Sequence, residues 1–368
     1  MHRGFDRNNL WSGGMTKGGT DSSVALVATA GHASRAHFRA LGWAAFATAL
    51  ALAMASAVYV RLDLLVSNVL FVDWYTYAHA VERVLSGSPL YSSQQLGGPY
   101  ELPDVSGYGF AYPPSAVLIL APFASWPVGT LAWMVLNVFA LVSGFAAVLR
   151  REFGRLDPWA LALCTLGLAV FFPFGVGIAT LNANVGLAGL FAWAWALQDS
   201  PALAPLIGLG GALKILPLAT LGLAPGGRRI RAIAVAGAVL LVLVIASVLL
   251  VGVGGWKDYA LALSNSVPAC EGRLPSVACT LAPLGAGTAK AVGIAVAGVA
   301  FLGAWLVRSR LLAFALAGVA WLAPVTDMQY HYLLILYVVL VVAVARVVAS
   351  RRARAEGAAI AVRARGLP

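Results

Sequence analysis

The sequence predicts an all-α polytopic membrane protein, and three observations carry that prediction. Of 368 residues, 61% are hydrophobic and 11% charged, with a mean hydropathy of +0.85, whereas soluble domains carry about 25% charged residues. Apolar runs of spanning length recur along the chain. The net charge of +11 is gathered in short clusters beside those runs: Arg35 and Arg39, Arg228/Arg229/Arg231, Arg308/Arg310, and Arg346 with Arg351/Arg352/Arg354. Such clusters are the positive-inside signal, which sets orientation and needs no polyanion, so nucleic acid is not expected as a partner.

In chain order, residues 1–34 are rich in Gly, Ser and Thr and lack periodicity, so they read as a disordered cytoplasmic tail. No signal-peptide pattern precedes the first span. About ten spans follow inside one membrane domain, 35–350: 38–60, 115–125, 127–149, 158–174, 181–197, 202–223, 230–251, 282–307, 311–323 and 332–349. Both termini then lie inside, including the basic cytoplasmic tail 351–368. One cluster does not fit: Arg150-Arg151-Glu152 with Arg155 falls outside on this map. Either a short segment is re-entrant or this cluster breaks a statistical rule.

The segment 73–114 is too polar and too rich in Gly, Pro and Ser to cross a bilayer. It carries four of the chain's fourteen carboxylates (Asp73, Glu82, Glu101, Asp104) against Arg83 as its one Lys or Arg. This island, a second loop at 252–281 and a turn at 324–331 all fall on the outer side, so one extracytoplasmic site is expected. Asp73 opens a helical pattern in which Tyr77, Ala80/Val81 and Val84/Leu85 recur and Gly87 provides a stop. An amphipathic helix there would lie on the membrane surface. Asp73 suits an N-cap and a general base equally well.

Other motifs carry less specific signals. The aromatics from Tyr108 to Tyr112 before Pro113-Pro114 favour a headgroup-level belt. Lys214 lies near the middle of 202–223, where a lysine calls for an anion, either a carboxylate or the phosphate of a lipid; snorkelling is the alternative. Asn182 and Asn184 break an apolar stretch and would either bind sugar hydroxyls or satisfy a broken helix. Asp327 and His331 stand at i, i+4 and would share a face of a helix. No third clustered ligand accompanies them, so no metal is expected. Cys164 reads as packing, while Cys270 and Cys279 form either a disulfide or two free thiols. No P-loop, GxSxG or redox CxxC is present, which removes the common ATPase and hydrolase readings.

The order of these motifs resembles glycosyltransferase family 87, the polyprenol-phosphate-mannose-dependent α-1,2-mannosyltransferases of actinobacteria. An external Asp in VDWYTY, an SGSPLY turn, GFAYPP at a span start, a broken NxN segment, an LKxxP span and a late His follow one another between about residues 38 and 349. The resemblance implies a GT-C-type fold with extracytoplasmic juxtamembrane helices. It also implies inverting transfer of mannose from polyprenyl-phosphate-mannose to a glycolipid of the phosphatidylinositol-mannoside or lipomannan type, on the periplasmic side of the plasma membrane. Asp73 falls at the family's catalytic Asp and His331 at its late His. Where the family has Gly-Gln-x-Asn this chain has Leu181-Asn182-Ala183-Asn184, so Asn184 alone matches there. Trp-Tyr-Thr-Tyr after Asp73 replaces Leu-His-Val-Tyr, ending on Tyr77. Lys214, Tyr77, Tyr112 and Asp327 complete the expected donor and acceptor contacts, and no cofactor is implied. The competing reading is a secondary transporter or flippase for an anionic or lipid-linked substrate; a membrane scaffold leaves Lys214 unexplained.

Overall fold

In lipid a backbone has no solvent partners, so a chain this apolar satisfies its N–H and C=O groups within helices. The computed structural model describes residues 21–66, 71–101, 109–267, 270, 276–325 and 328–364, with side chains left aside for 21–35, 60–66 and 359–364. The helices are α1 (Asp21–Val66), α2 (Val72–Leu85), α3 (Ser93–Gly97), α4 (Ser115–Ala124), α5 (Gly129–Phe153), α6 (Pro158–Val170), α7 (Phe172–Ala179), α8 (Asn184–Ala196) and α9 (Leu203–Leu213). A 3-10 stretch (Leu216–Leu223) precedes α10 (Arg229–Asn265), α11 (Val277–Thr280), α12 (Ala286–Leu306) and α13 (Arg310–Leu322); a second (Tyr330–Leu333) leads into α14 (Leu334–Ala364). Among the described residues the β structure is one isolated parallel bridge, Tyr100 to Ser266.

Among the described residues, five helices are long and apolar enough to cross a membrane: Ala36–Tyr59, Gly129–Phe153, Gly226–Asn265, Ala286–Leu306 and Tyr330–Ala358. The pair α6 and α7, bent by 75°, makes a sixth if taken together, and α4, α8, α9 and α13 are shorter apolar helices. The protein is therefore an all-α, multi-pass membrane protein. α8 is apolar on every side and largely buried, which marks it as the central helix. It runs parallel to α5, because contacts advance together along both: Trp133 to Leu181, Asn137 to Gly186, Ser143 to Trp193 and Glu152 to Trp195.

Several expected boundaries move. Helix α1 begins at Asp21, inside the segment expected to be disordered, and α14 carries the basic tail on to Ala364 as helix. Helix α10 continues past a kink at Gly252 (φ 74, ψ 169) as far as Asn265, so the first half of the expected loop 252–281 is helical. The span expected at 158–174 breaks at Phe171, and Pro173 sits in the first turn of α7, where a missing N–H costs nothing. Cys270 and Cys279 form a disulfide with their Cα atoms 5.3 Å apart. Cys164 is partly buried and unbonded.

The largest change concerns 202–223, expected as one span. Pro217 cannot donate to the carbonyl of Leu213, so α9 ends there and Lys214 turns extended (φ −156, ψ 130) before the 3-10 stretch returns. Small residues let the two legs close up: a Cβ on Gly211 would come within 2.9 Å of Leu218, and one on Gly210 within 3.3 Å of Pro217. The feet meet, since Arg228 Nη1 donates to the Asp199 carbonyl at 3.0 Å. Eleven residues of α9 rise about 16 Å, half of a ~30 Å hydrocarbon core. The segment is a re-entrant hairpin with Lys214 at its tip.

Ion pairs bring the misplaced basic cluster together with the later ones. Asp199 Oδ2 accepts from Arg151 Nη2 at 2.5 Å and Arg310 Nη1 at 2.8 Å, while Arg346 Nη1 meets Glu152 Oε2 at 3.3 Å. Arg151, Arg228, Arg310 and Arg346 thus gather at one end of the bundle. Helix α4, ten residues long, is likewise shorter than a crossing needs.

Candidate active site

The site grows where helices stop. Helix α2 starts after Phe71, which takes the N-cap position in a left-handed conformation (φ 56) without a side-chain cap bond. Asp73 therefore lies within the first turn and not at the N-cap, with its charge at the positive end of the helix. Two backbone bonds pin this end to the turn between α7 and α8: Phe71 N–H to the Ala179 carbonyl (3.1 Å) and Trp74 N–H to the Thr180 carbonyl (3.3 Å). Trp74, Thr76, Tyr77, Ala80 and Val81 are buried, so much of the helix packs against protein instead of lying flat on lipid. Gly87 (φ 74) ends it, as expected, though Leu85 is 64% exposed and leaves the apolar stripe.

Tyr77 and Tyr112 form the floor. Their hydroxyls are 2.8 Å apart, the Tyr77 oxygen also accepts the Ala183 N–H at 3.2 Å, and the Tyr112 carbonyl accepts the Tyr91 hydroxyl at 2.7 Å. Phe110 is fully buried and Tyr112 nearly so, which overturns the belt reading for these two: the Tyr112 hydroxyl points inward because Tyr77 partners it there. Tyr108 lies outside the described residues. Burial pushes both phenols well above their ordinary value, and the nearby charge of Asp73 adds to the rise in each. Asp73 thus shares its electrostatic environment with this pair.

The turn before α8 separates its two amides. Leu181 is left-handed (φ 55), and its carbonyl accepts the Trp133 indole N–H at 3.2 Å. Asn182 Oδ1 accepts the Asn184 N–H at 2.8 Å, and Asn137 Oδ1 accepts the Gly186 N–H at 2.7 Å. Asn182 is spent on the broken helix, while the Asn184 side chain faces Lys214, whose Nζ lies 3.4 Å from its Oδ1. Asn184 Nδ2 and Thr180 Oγ1 are buried and have no partner among the described residues.

Lys214 donates to the Tyr332 hydroxyl at 2.7 Å and sits over the rings of Tyr332 (4.3 Å) and Tyr112 (5.4 Å). All these partners are neutral, and among the described residues no carboxylate lies at ion-pair distance from it. Tyr332 is accordingly part of the site, not of a belt, whereas Tyr330 is 41% exposed. His331 is buried, its ring tilted against Tyr332 at 4.9 Å, and it packs on Gly177, where a Cβ would come within 3.3 Å of its own Cβ. Asp327 lies outside the described residues. Gln329 is extended (ψ 161), so the helical spacing assumed for Asp327 and His331 is broken between them.

Six of the expected residues thus converge: Asp73, Tyr77, Tyr112, Asn184, Lys214 and His331. Tyr332, Trp133 and Asn137 are additions that only the fold brings in. Phe71 and Leu181, the left-handed non-glycine residues among those described, both flank the site, as stored backbone strain often does. No group of three potential metal ligands occurs among the described residues. The model of glycosyltransferase family 87 matches residues 110–365, well over half of the chain. The chain belongs to glycosyltransferase family 87. No curated protein and no solved structure gives a significant match. The matched range takes in Tyr112, Asn184, Lys214, His331 and Tyr332 and begins after Asp73 and Tyr77. A glycosyltransferase built of membrane helices implies a lipid-linked donor and an acceptor in the membrane.

Proposed function

We propose that this family 87 protein is an inverting mannosyltransferase of the GT-C type. It moves mannose from polyprenyl-phosphate-mannose to a glycolipid acceptor of the phosphatidylinositol-mannoside or lipomannan type, making an α-1,2 linkage on the periplasmic side of the plasma membrane. One observation carries the reading: a carboxylate and a lysine whose partners among the described residues are all neutral meet around one pair of buried phenols. The acceptor oxygen attacks C1 of mannose as the C1–O bond to phosphate breaks, which inverts a β-linked donor. Asp73 takes the hydroxyl proton, and polyprenyl phosphate leaves with the bonding pair. General bases contribute about 10²–10⁴-fold.

Lys214 is the cation that meets the leaving phosphate. The opening N–H groups of α8 do not compete for this role, since Asn182 and Asn137 already occupy them. Asn184 Nδ2 and Thr180 Oγ1 supply donors for sugar oxygens, and His331 holds Tyr332 against the lysine. No metal is required, because Lys214 provides the charge a metal would bring.

Membranes carrying the protein, supplied with labelled lipid-linked mannose, test the assignment. Asp73→Asn lowers transfer by about 10²–10⁴-fold; full retained transfer sinks the base. A re-entrant hairpin with a charged tip also suits a secondary transporter of a lipid-linked anion. Movement of label across the bilayer without covalent product decides for that reading.

A further inference from the structure

The chemistry above uses one cation, yet the helix that carries Asp73 holds another. Arg83 lies in the last turn of α2 and is partly buried. Its Nε and Nη2 are both shielded from solvent and have no acceptor among the described residues. Ser86 and Ser88 bond only to its backbone carbonyl, at 3.0 and 2.8 Å. Those two nitrogens are the parallel donors along one edge of the guanidinium, the edge that grips two oxygens of one phosphate or carboxylate. A guanidinium stays charged at physiological pH, and burial that pushes its pKa down makes an unpaired state more costly still. Buried donors of this kind call for a partner.

Position says which partner. Arg83 stands ten residues after Asp73, about 15 Å along the helix axis and about 80° around it. Lys214 is on the Asp73 side, since its Nζ lies over the Tyr112 ring and Tyr112 bonds to Tyr77. The leaving phosphate is bonded to the carbon attacked beside the base, so a phosphate held at that site does not reach Arg83. A second lipid-borne phosphate does.

We propose that Arg83 forms a second anion subsite, gripping the phosphodiester headgroup of the acceptor lipid while Lys214 serves the donor phosphate. This rests on the reading of both substrates as lipid phosphates. Full-length protein in neutral detergent is titrated with glycerophosphoinositol, inorganic phosphate and uncharged inositol, for wild type, Arg83→Gln and Arg83→Lys. The diester binds wild type, its Kd rises at least tenfold in Arg83→Gln, and Arg83→Lys recovers part of the loss because it keeps charge without the two-donor edge. In transfer assays the acceptor KM rises in both variants while the donor KM holds. Equal diester affinity in wild type and Arg83→Gln overturns the subsite, as does a rise confined to the donor KM. Inorganic phosphate binding as tightly as the diester overturns the headgroup assignment. A wild type that transfers no mannose, yet loses diester binding on Arg83→Gln, sinks the mannosyl reading and leaves the subsite standing.

Discussion

Replacing Lys214 with methionine separates a functional cation from a structural one. The substitution removes a 2.7 Å bond to Tyr332, a weaker contact to Asn184 at 3.4 Å and ring contacts at 4.3 and 5.4 Å. A hydrogen bond to a charged group contributes about 1.5–3 kcal/mol and a ring contact about 1 kcal/mol. Against that loss stands relief from holding an ammonium among neutral partners, worth several kcal/mol, and methionine fills a similar volume. The terms offset, so stability changes by less than about 2 kcal/mol in either direction. Transfer falls by about 10²–10³-fold, the cost of losing one preorganised charge-stabilising group. Thermal unfolding in detergent and transfer of labelled mannose, measured on one preparation, read both quantities. Loss of folding comparable to breaking a buried ion pair, or transfer within a few-fold of wild type, refutes the reasoning.

Further outcomes follow from other sites. Tyr77→Phe leaves the buried Ala183 N–H and the Tyr112 hydroxyl without their shared partner, so unfolding becomes easier by about 1–3 kcal/mol and transfer falls with it. Gly189→Val drives a Cβ to 2.3 Å from the Ala140 carbonyl carbon, so α5 and α8 must separate; a destabilisation of about 3 kcal/mol, seen in thermal unfolding, is expected. Hydrogen bonds from Arg310, then Arg151, lower Asp199 from 3.8 to about 2. A depressed folded pKa stabilises above the unfolded value and is lost as pH falls through the folded one. The side chain is 47% exposed, so wild type exceeds Asp199→Asn by about 1 kcal/mol at pH 7, and the gap closes toward pH 2.

Much of the membrane architecture was legible because hydropathy and charge clusters act locally along the chain. The start of α2 near Asp73, its stop at Gly87 and the long spans all follow from residues within a few positions of one another. What escaped depends on distant partners. The inward course of Phe110 and Tyr112 requires Tyr77 and Tyr91 as neighbours, and nothing in GFAYPP itself announces them. Tyr332 reads as a belt residue until Lys214 is placed beside it. The hairpin at 202–223 is the instructive miss: its hydropathy is that of a span, and Pro217 was the one local sign that the helix stops at Leu213. The family motifs named Asp73, Asn184 and His331, but not the geometry that joins them.

The breaks explain why a polar site exists at this depth at all. Each helix end leaves backbone groups that lipid does not satisfy, and here the ends occur together. The Ala179 and Thr180 carbonyls at the end of α7 take N–H groups from α2, the Ala212 carbonyl near the end of α9 takes the Ser115 hydroxyl at 2.6 Å, and the Ala183 N–H before α8 donates to Tyr77. Interrupted helices thus complete one another, and the side chains at the breaks, Lys214 and Asn184, are held where no continuous helix would leave room for a substrate. A substitution that restored continuity, such as Pro217→Ala, would extend α9 through Lys214 and swing the ammonium off Tyr332. It should therefore abolish transfer while leaving the helical content unchanged or higher by circular dichroism. Retained transfer would mean that the break is incidental and that the site is held by its side chains alone.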